Sequence, residues 1–311
     1  MKFLYFLEDI RIPVLNEVML AITSLGEETA FLVIALILFW CVDKYIGYYT
    51  LSVGFVGMIV SQFMKLWFRI PRPWVLDSDF TVLEQAKTHA ADYSFPSGHT
   101  VSAVCTYGSI ANTAKNRLLR YLCVAISVLV GFSRMYIGVH TPKDVLVGAL
   151  LAVVLVFALR PLVLGNNRRW FPALLTAMLL LAVGYLCFAE FYLFPVNVDL
   201  SNLLSGIENG YTLLGGLLGI IVVYVVDEKW LRFDTKAVWW VQIVKVAIGL
   251  VLVLIIKTGL KAPLNALLGV YAGRTVRYFL TVVAAGIVWP LSFKWFSQLG
   301  RKDGLDCIID E

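Results

Sequence analysis

Charge is what this sequence has least of. Asp, Glu, Lys and Arg make up only 15% of its 311 residues, against 60% apolar ones. A soluble globular chain ordinarily carries about 25%, so that class is excluded. Cysteine is sparse and unpaired: Cys41, Cys105, Cys123, Cys187 and Cys307 are scattered, four of them inside apolar runs, with no C-x-x-C pair. That argues against a zinc ribbon or a redox pair and suits inert buried thiols. The opening MKFLYFLEDIRIP lacks the apolar stretch of a cleavable leader, because Glu8 and Asp9 interrupt it at once, so the first span is expected to serve as the insertion signal. The net charge of +5 sits in short loops between apolar runs, where it sets orientation, and nucleic acid is not an expected partner. No internal repeat or low-complexity tract is present.

What the sequence has instead is apolar runs close to the ~20 residues that cross a bilayer core of about 30 Å. They fall at 29–43, 46–67, 99–115, 119–138, 142–164, 171–194, 210–227, 237–257 and 276–296. The expected fold is all-α: a polytopic integral membrane helical bundle of about nine transmembrane helices. Residues 1–28 keep helical spacing but carry Asn16, Glu17, Glu27 and Glu28, which suits an interfacial or re-entrant helix. The reading continues with a core over 29–165, further spans over 170–298 and a polar tail over 299–311, with GNNRRW (165–170) marking the break between halves. Short loops carry Lys44, Lys115, Arg117, Arg120, Arg160, Arg168 and Arg169 against Asp43 alone, whereas the long loop from Arg69 to Ser97 is rich in acids. Basic short loops face the cytoplasm, so the acidic loop is expected to face away from it. In a bacterium this would be the inner membrane. Lys257, Lys261, Arg274 and Arg277 do not follow this pattern.

Polar residues break the apolar pattern at four places in the front half. Lys65 ends the second span and Arg72-Pro73 follows; Pro96-Ser97-Gly98-His99 opens the third; Ser133-Arg134 ends the fourth; His140, with Asp144 four residues on, opens the fifth. Because consecutive spans run in opposite directions, all four places lie on one membrane face. Lys65, Arg72 and Arg134 together would be costly there without a compensating anion. Two planar guanidinium forks and a point charge suit phosphate oxygens. Gly98 permits close backbone approach, and the start of the third span offers N–H groups to an anion. Thr141 and Pro142 read as the N-cap and first turn of a helix. The i, i+4 spacing lets Asp144 hold one nitrogen of His140 and free the other for attack, while His99 is placed to protonate a leaving oxygen. No carboxylate or cysteine set is positioned for a metal, so the cations would do the electrostatic work and no cofactor is expected.

The pattern K65-x6-R72-P73, P96-S97-G98-H99 and S133-R134-x5-H140-x3-D144 resembles the three-part signature of the type 2 phosphatidic acid phosphatase superfamily, over about residues 30–165. The resemblance implies a helical core and a phosphohistidine on His140, with Asp144 orienting it and His99 as acid. It further implies phosphate contacts from Lys65, Arg72, Ser97, Gly98 and Arg134. The spans after residue 170 go beyond the simple six-helix members.

The expected activity is hydrolysis of a lipid phosphomonoester or pyrophosphate, with membrane lipids as surroundings. Three alternatives are a phosphotransferase with the same intermediate, a sugar phosphatase of the glucose 6-phosphate type, faintly suggested by Asp77 and Asp79, and a transporter or scaffold. Read singly, Lys65 and Arg69 would be snorkelling anchors beside Trp67 and Trp74. Arg69 stands outside the predicted site as an auxiliary phosphate contact, and His89 reads as a solvated loop residue. Glu190 and Lys245 lie within apolar runs, and for Lys245 a structural pair with an acid on a neighbouring helix is expected. Gly215-Gly216-x-x-Gly219 is a small-residue face for close helix packing, within the chain or between copies in a homo-oligomer.

Overall fold

The computed structural model describes residues 1–87, 92–165, 168–196 and 198–299. His89, Cys307 and nearly all of the predicted tail lie outside the described residues. In chain order the helices are α1 (Lys2–Asp9), α2 (Pro13–Ser24), α3 (Glu28–Ile37), α4 (Lys44–Phe68), α5 (Pro73–Leu76), α6 (Glu84–Lys87), α7 (Gly98–Thr113), α8 (Arg117–Tyr136), α9 (Pro142–Val163), α10 (Phe171–Phe191), α11 (Leu200–Val226), α12 (Trp239–Gly259), α13 (Lys261–Leu268), α14 (Val270–Val283) and α15 (Phe293–Phe296). No strand occurs among the described residues. Seven helical segments, from Lys44–Leu76 to Val270–Phe296, are long and apolar enough to cross a membrane, and α2 with the α3 segment makes an eighth if that pair, bent by 51°, is one span. The remaining predicted span, 99–115, is the 16-residue α7. The protein is an integral membrane helical bundle.

Local chemistry sets the helix starts that matter for the site. Ser97 caps α7, its Oγ accepting from Thr100 N at 3.4 Å and from the Thr100 hydroxyl at 2.8 Å. Asn116 caps α8 by accepting from Leu118 N and Leu119 N. Thr141 caps α9 in a reciprocal box with Asp144, and Pro142 occupies the first turn, as the sequence predicts.

The chain divides into two compact units. The first comprises Met1–Ala35 and Tyr48–Leu213. Here α7 packs against α8 and α9, and α2 lies along α8. Helix α9 shows what the bilayer does to amphipathicity: Val145, Ala152, Val156 and Val163 are buried, while Leu146, Leu150, Val154 and Phe157 are exposed. Both faces are apolar, so the exposed stripe is a lipid contact where in water it would be an aggregation surface. Gly148 lies on the buried face, where an added Cβ would stand 3.0 Å from the Ser97 carbonyl oxygen. Its bare backbone lets α9 approach the start of α7.

The second unit comprises Leu36–Gly47 and the chain from Leu214 onward. The predicted small-residue face packs within the chain: a Cβ on Gly215 would lie 2.2 Å from the Thr275 carbonyl oxygen, and one on Gly219 would lie 2.7 Å from Val282. Lys44 pairs with the fully buried Asp227 at 2.8 Å. No acid forms an ion pair with Lys245 among the described residues, and Asp234, in the segment before α12, acts on it only through space. Its Nζ donates instead to the Thr235 carbonyl at 3.1 Å and stands 4.2 Å over the Phe293 ring. Helical side chains lean toward the N-terminus, and this one reaches back past the start of α12 to a carbonyl in the non-helical segment before it. In the first unit, Glu190 is exposed one residue from the end of α10, at a helix end rather than in mid-span.

Candidate active site

The residues predicted for the site come from five elements and meet in the first unit. Lys65 stands in the last turn of α4, and Arg72 caps the short α5. Ser97, Gly98 and His99 form the start of α7, Arg134 lies in the last turn of α8, and His140 and Asp144 flank the start of α9. Lys65, Arg72, Ser97, Arg134, His140 and Asp144 are each no more than 5% exposed. A Cβ on Gly98 would meet only Lys65 Nζ, at 3.4 Å, so the lysine head sits against the opening of α7. His99 is half-buried, within electrostatic reach of Arg134, Lys65, Asp92, Arg72 and His140.

One contact determines the state of His140. Arg72 NH1 lies 2.9 Å from His140 Nε2 and also donates to the Val139 carbonyl at 3.0 Å. A guanidinium has donors only, so Nε2 accepts and the ring proton is on Nδ1. Nδ1 faces Asp144 Oδ2 at 3.6 Å and the Ser94 hydroxyl at 3.4 Å. Ser94 donates to the same Asp144 oxygen at 2.7 Å, as does the Thr141 backbone N–H at 2.8 Å. These two bonds hold the carboxylate beside the imidazole. Burial, then Arg72, Arg134, Lys65 and His99, drive the His140 pKa well below the usual imidazole value, so the ring is neutral.

Three participants were not legible as such in the sequence. Ser94 holds Asp144. Thr23, from α2, accepts from Arg134 Nη1 at 2.8 Å, while Arg134 Nε is buried with no hydrogen-bond partner among the described residues. Asp92, which reads in the sequence only as part of an acidic loop, pairs its two carboxylate oxygens with Lys65 and Arg72, and its carbonyl accepts from Arg72 Nε at 2.8 Å. Burial raises the Asp92 pKa, but the two cations and their hydrogen bonds outweigh it and pull the carboxyl down to about 2. The clue was physical: three clustered cations require an anion, and Asp92 lies two residues before Ser94. The snorkelling alternative for Lys65 does not hold, because its head is buried.

The arrangement can bind a tetrahedral oxyanion between buried cations and present an unprotonated imidazole nitrogen to it. Among the described residues no group of three His, Cys, Asp or Glu side chains comes together as metal ligands.

Comparison with known proteins gives the same direction. The PAP2 superfamily model matches residues 45–168, and a second, the PAP2 superfamily phosphatase transmembrane extension, matches residues 211–302. Phosphatidylglycerophosphatase B of Bacillus subtilis is 35% identical over 164 residues, which are 49% of this chain and 76% of that protein. Undecaprenyl-diphosphatase BcrC of the same organism is 36% identical over 104 residues, 33% of this chain and 51% of its own. Human sphingosine-1-phosphate phosphatase 2 is 28% identical over 144 residues, which span 35% of its length. A crystal structure of a transmembrane PAP2 type phosphatidylglycerolphosphate phosphatase from Bacillus subtilis is 32% identical, with a TM-score of 0.44, covering 53% of this chain and 83% of that one. With the motif residues gathered in one buried cluster and the match reaching across most of a relative's length, this chain belongs to the PAP2 superfamily.

Proposed function

We propose that the chain is a membrane lipid phosphate phosphatase that hydrolyses a phosphomonoester or pyrophosphate through a phosphohistidine, without a metal. His140 Nε2 attacks phosphorus, and the bond from phosphorus to the leaving oxygen breaks as His99 donates its proton to that oxygen. Water then gives a proton back to His99 and attacks the phosphohistidine, releasing inorganic phosphate and restoring His140. Lys65, Arg72 and Arg134 carry the charge of the transferring group, with the Ser97 and Gly98 backbone at the start of α7. In the empty site the Asp92 carboxylate neutralises Lys65 and Arg72, and the substrate phosphate takes its place. Arg72 then turns from Nε2 to a phosphate oxygen, which frees the nucleophile.

The observation that carries this reading is the Arg72–His140 contact of 2.9 Å, which leaves Nε2 unprotonated beside the buried cations. The lipid preference rests on location, since a site at the ends of membrane-crossing helices admits a phosphate while the lipid chain stays in the bilayer. Relatives named for phosphatidylglycerophosphate, undecaprenyl diphosphate and sphingosine 1-phosphate support the same class. The test is phosphate release by detergent-solubilised protein from a panel of lipid phosphates, lipid pyrophosphates and glucose 6-phosphate. His140→Ala should lose roughly 10⁴-fold or more in turnover, as removal of a nucleophile does. Vanadate should inhibit and EDTA should not. Wild-type rates from His140→Ala, or release from glucose 6-phosphate alone, would overturn the reading.

A further inference from the structure

A cavity of about 700 Å³ adjoins the phosphate site and shares Arg72 and Asp92 with it. That is within the range of cavities that hold small ligands, roughly 300–1,000 Å³. One of its walls is the chain end of α4 around Arg69; another is the segment leading into α11 and that helix's first turn, including Asp199 and Asn202. This second wall lies between the two matched family regions, which end at residue 168 and resume at 211.

Four charged side chains line the cavity, and three are committed. Arg72 and Asp92 pair with each other. Asp199 turns toward its own helix, its Oδ1 accepting from Ser201 N at 2.9 Å and Asn202 N at 3.1 Å. Arg69 is the exception. Its NH1 donates to the Leu66 carbonyl at 3.0 Å, and among the described residues no carboxylate lies within ion-pair distance of it. Its backbone is also unusual, with φ +49°. Helix ends that enter the left-handed region ordinarily use glycine or asparagine. Here an arginine adopts it, ending α4 and setting a guanidinium on the cavity wall.

We propose that Arg69 is a specificity-determining residue that binds a second phosphate group of the substrate, beyond the one held by Lys65, Arg72 and Arg134. The chain therefore favours lipids with two phosphates, whether a pyrophosphate or a phosphodiester beside the scissile monoester, over lipids with one. This rests on the lipid phosphatase reading above. A guanidinium fork matches phosphate oxygens, and no other uncommitted charge lines the cavity among the described residues.

The experiment compares kcat/KM of the full-length protein in mixed micelles for farnesyl pyrophosphate, phosphatidylglycerophosphate and phosphatidic acid. In Arg69→Gln, the ratio for a two-phosphate lipid over phosphatidic acid should fall about tenfold or more, as expected for loss of a charged hydrogen bond. Arg69→Lys should restore part of it and controls for folding. A fall confined to farnesyl pyrophosphate or to phosphatidylglycerophosphate identifies which kind of second phosphate Arg69 reads. An unchanged ratio overturns the proposal, whether all three activities drop together or none does, and so does a wild-type protein that prefers phosphatidic acid. If the folded wild type releases phosphate from none of the three, the phosphatase reading fails and this inference with it. If it hydrolyses them and only the ratio is unmoved, the phosphatase reading stands alone.

Discussion

Because an arginine can only donate, its contact with His140 gives the imidazole one tautomer, and burial among cations keeps that imidazole neutral. The expected pH behaviour follows with its sign. A base whose pKa is lowered stays unprotonated below the ordinary value of about 6.5. The acid limb of kcat/KM should therefore lie below that value, once the substrate's own second ionisation near ~6 has been measured separately. An acid limb at or above the ordinary imidazole value would contradict the geometry. Asp144→Asn keeps the shape but cannot hold Nδ1–H in the same way, so turnover should fall well short of the loss in His140→Ala; equal losses would mean that Asp144 does more than orient. Asp92 is the residue that sequence reasoning passed over. Its pKa is depressed to about 2, so its ion pairs contribute stability above the ordinary carboxylate value of about 3.9 and lose it as pH falls toward about 2. In the proposed mechanism this carboxylate competes with substrate at working pH. Asp92→Asn should cost on the order of 2 kcal/mol, less than the ~3–5 of a fully buried pair, because its side chain keeps 23% exposure. It should also bind vanadate more tightly, read as a lower inhibition constant and a larger vanadate-induced rise in melting temperature. Weaker vanadate binding would instead make Asp92 a permanent support of the cations.

At the scale of helices, the site depends on how closely α9 approaches the opening of α7. Gly148 stands against the Ser97 carbonyl, and the Ser97 N–H donates to the Asp144 carbonyl at 3.0 Å. A side chain at Gly148 pushes these two helix starts apart and moves Ser97, Gly98 and Asp144 together. Gly148→Val should thus cut turnover by roughly 10²-fold, the penalty typical of a displacement near 1 Å. A control that enlarges a side chain on the lipid face, Leu146→Phe, should stay near wild type. Equal activity in both variants would show that this contact does not set the site. The helix starts themselves were legible, because Thr141-Pro142 and Ser97 are caps whose chemistry is local. The role of α2 was not. Nothing in PVLNEVMLAITS marks Thr23 as a partner of an arginine 111 residues later, and only packing of α2 along α8 brings them together.

For the molecule as a whole, orientation is the property with the widest consequence. The basic short loops predict a site on the far side from the cytoplasm. In a background with the exposed Cys187 replaced, a cysteine at the exposed position Asp79 should react with a membrane-impermeant maleimide in intact cells, and one at Arg117 should not. The reverse labelling would put the site in the cytoplasm. The all-helical membrane class, the spans and the convergence of the motif residues followed from the sequence alone, because bilayer thickness and antiparallel alternation leave few other solutions. Tertiary structure alone decided which further groups hold the cluster: Asp92 between the cations, Ser94 behind Asp144 and Thr23 against Arg134. It also gave Lys245 a carbonyl and an aromatic ring in place of an acid. The physical reason is range. Hydrophobic length and helix capping act along the chain and can be read from it, whereas the pairing of a buried charge is settled by whichever distant group the packing brings within about 3 Å.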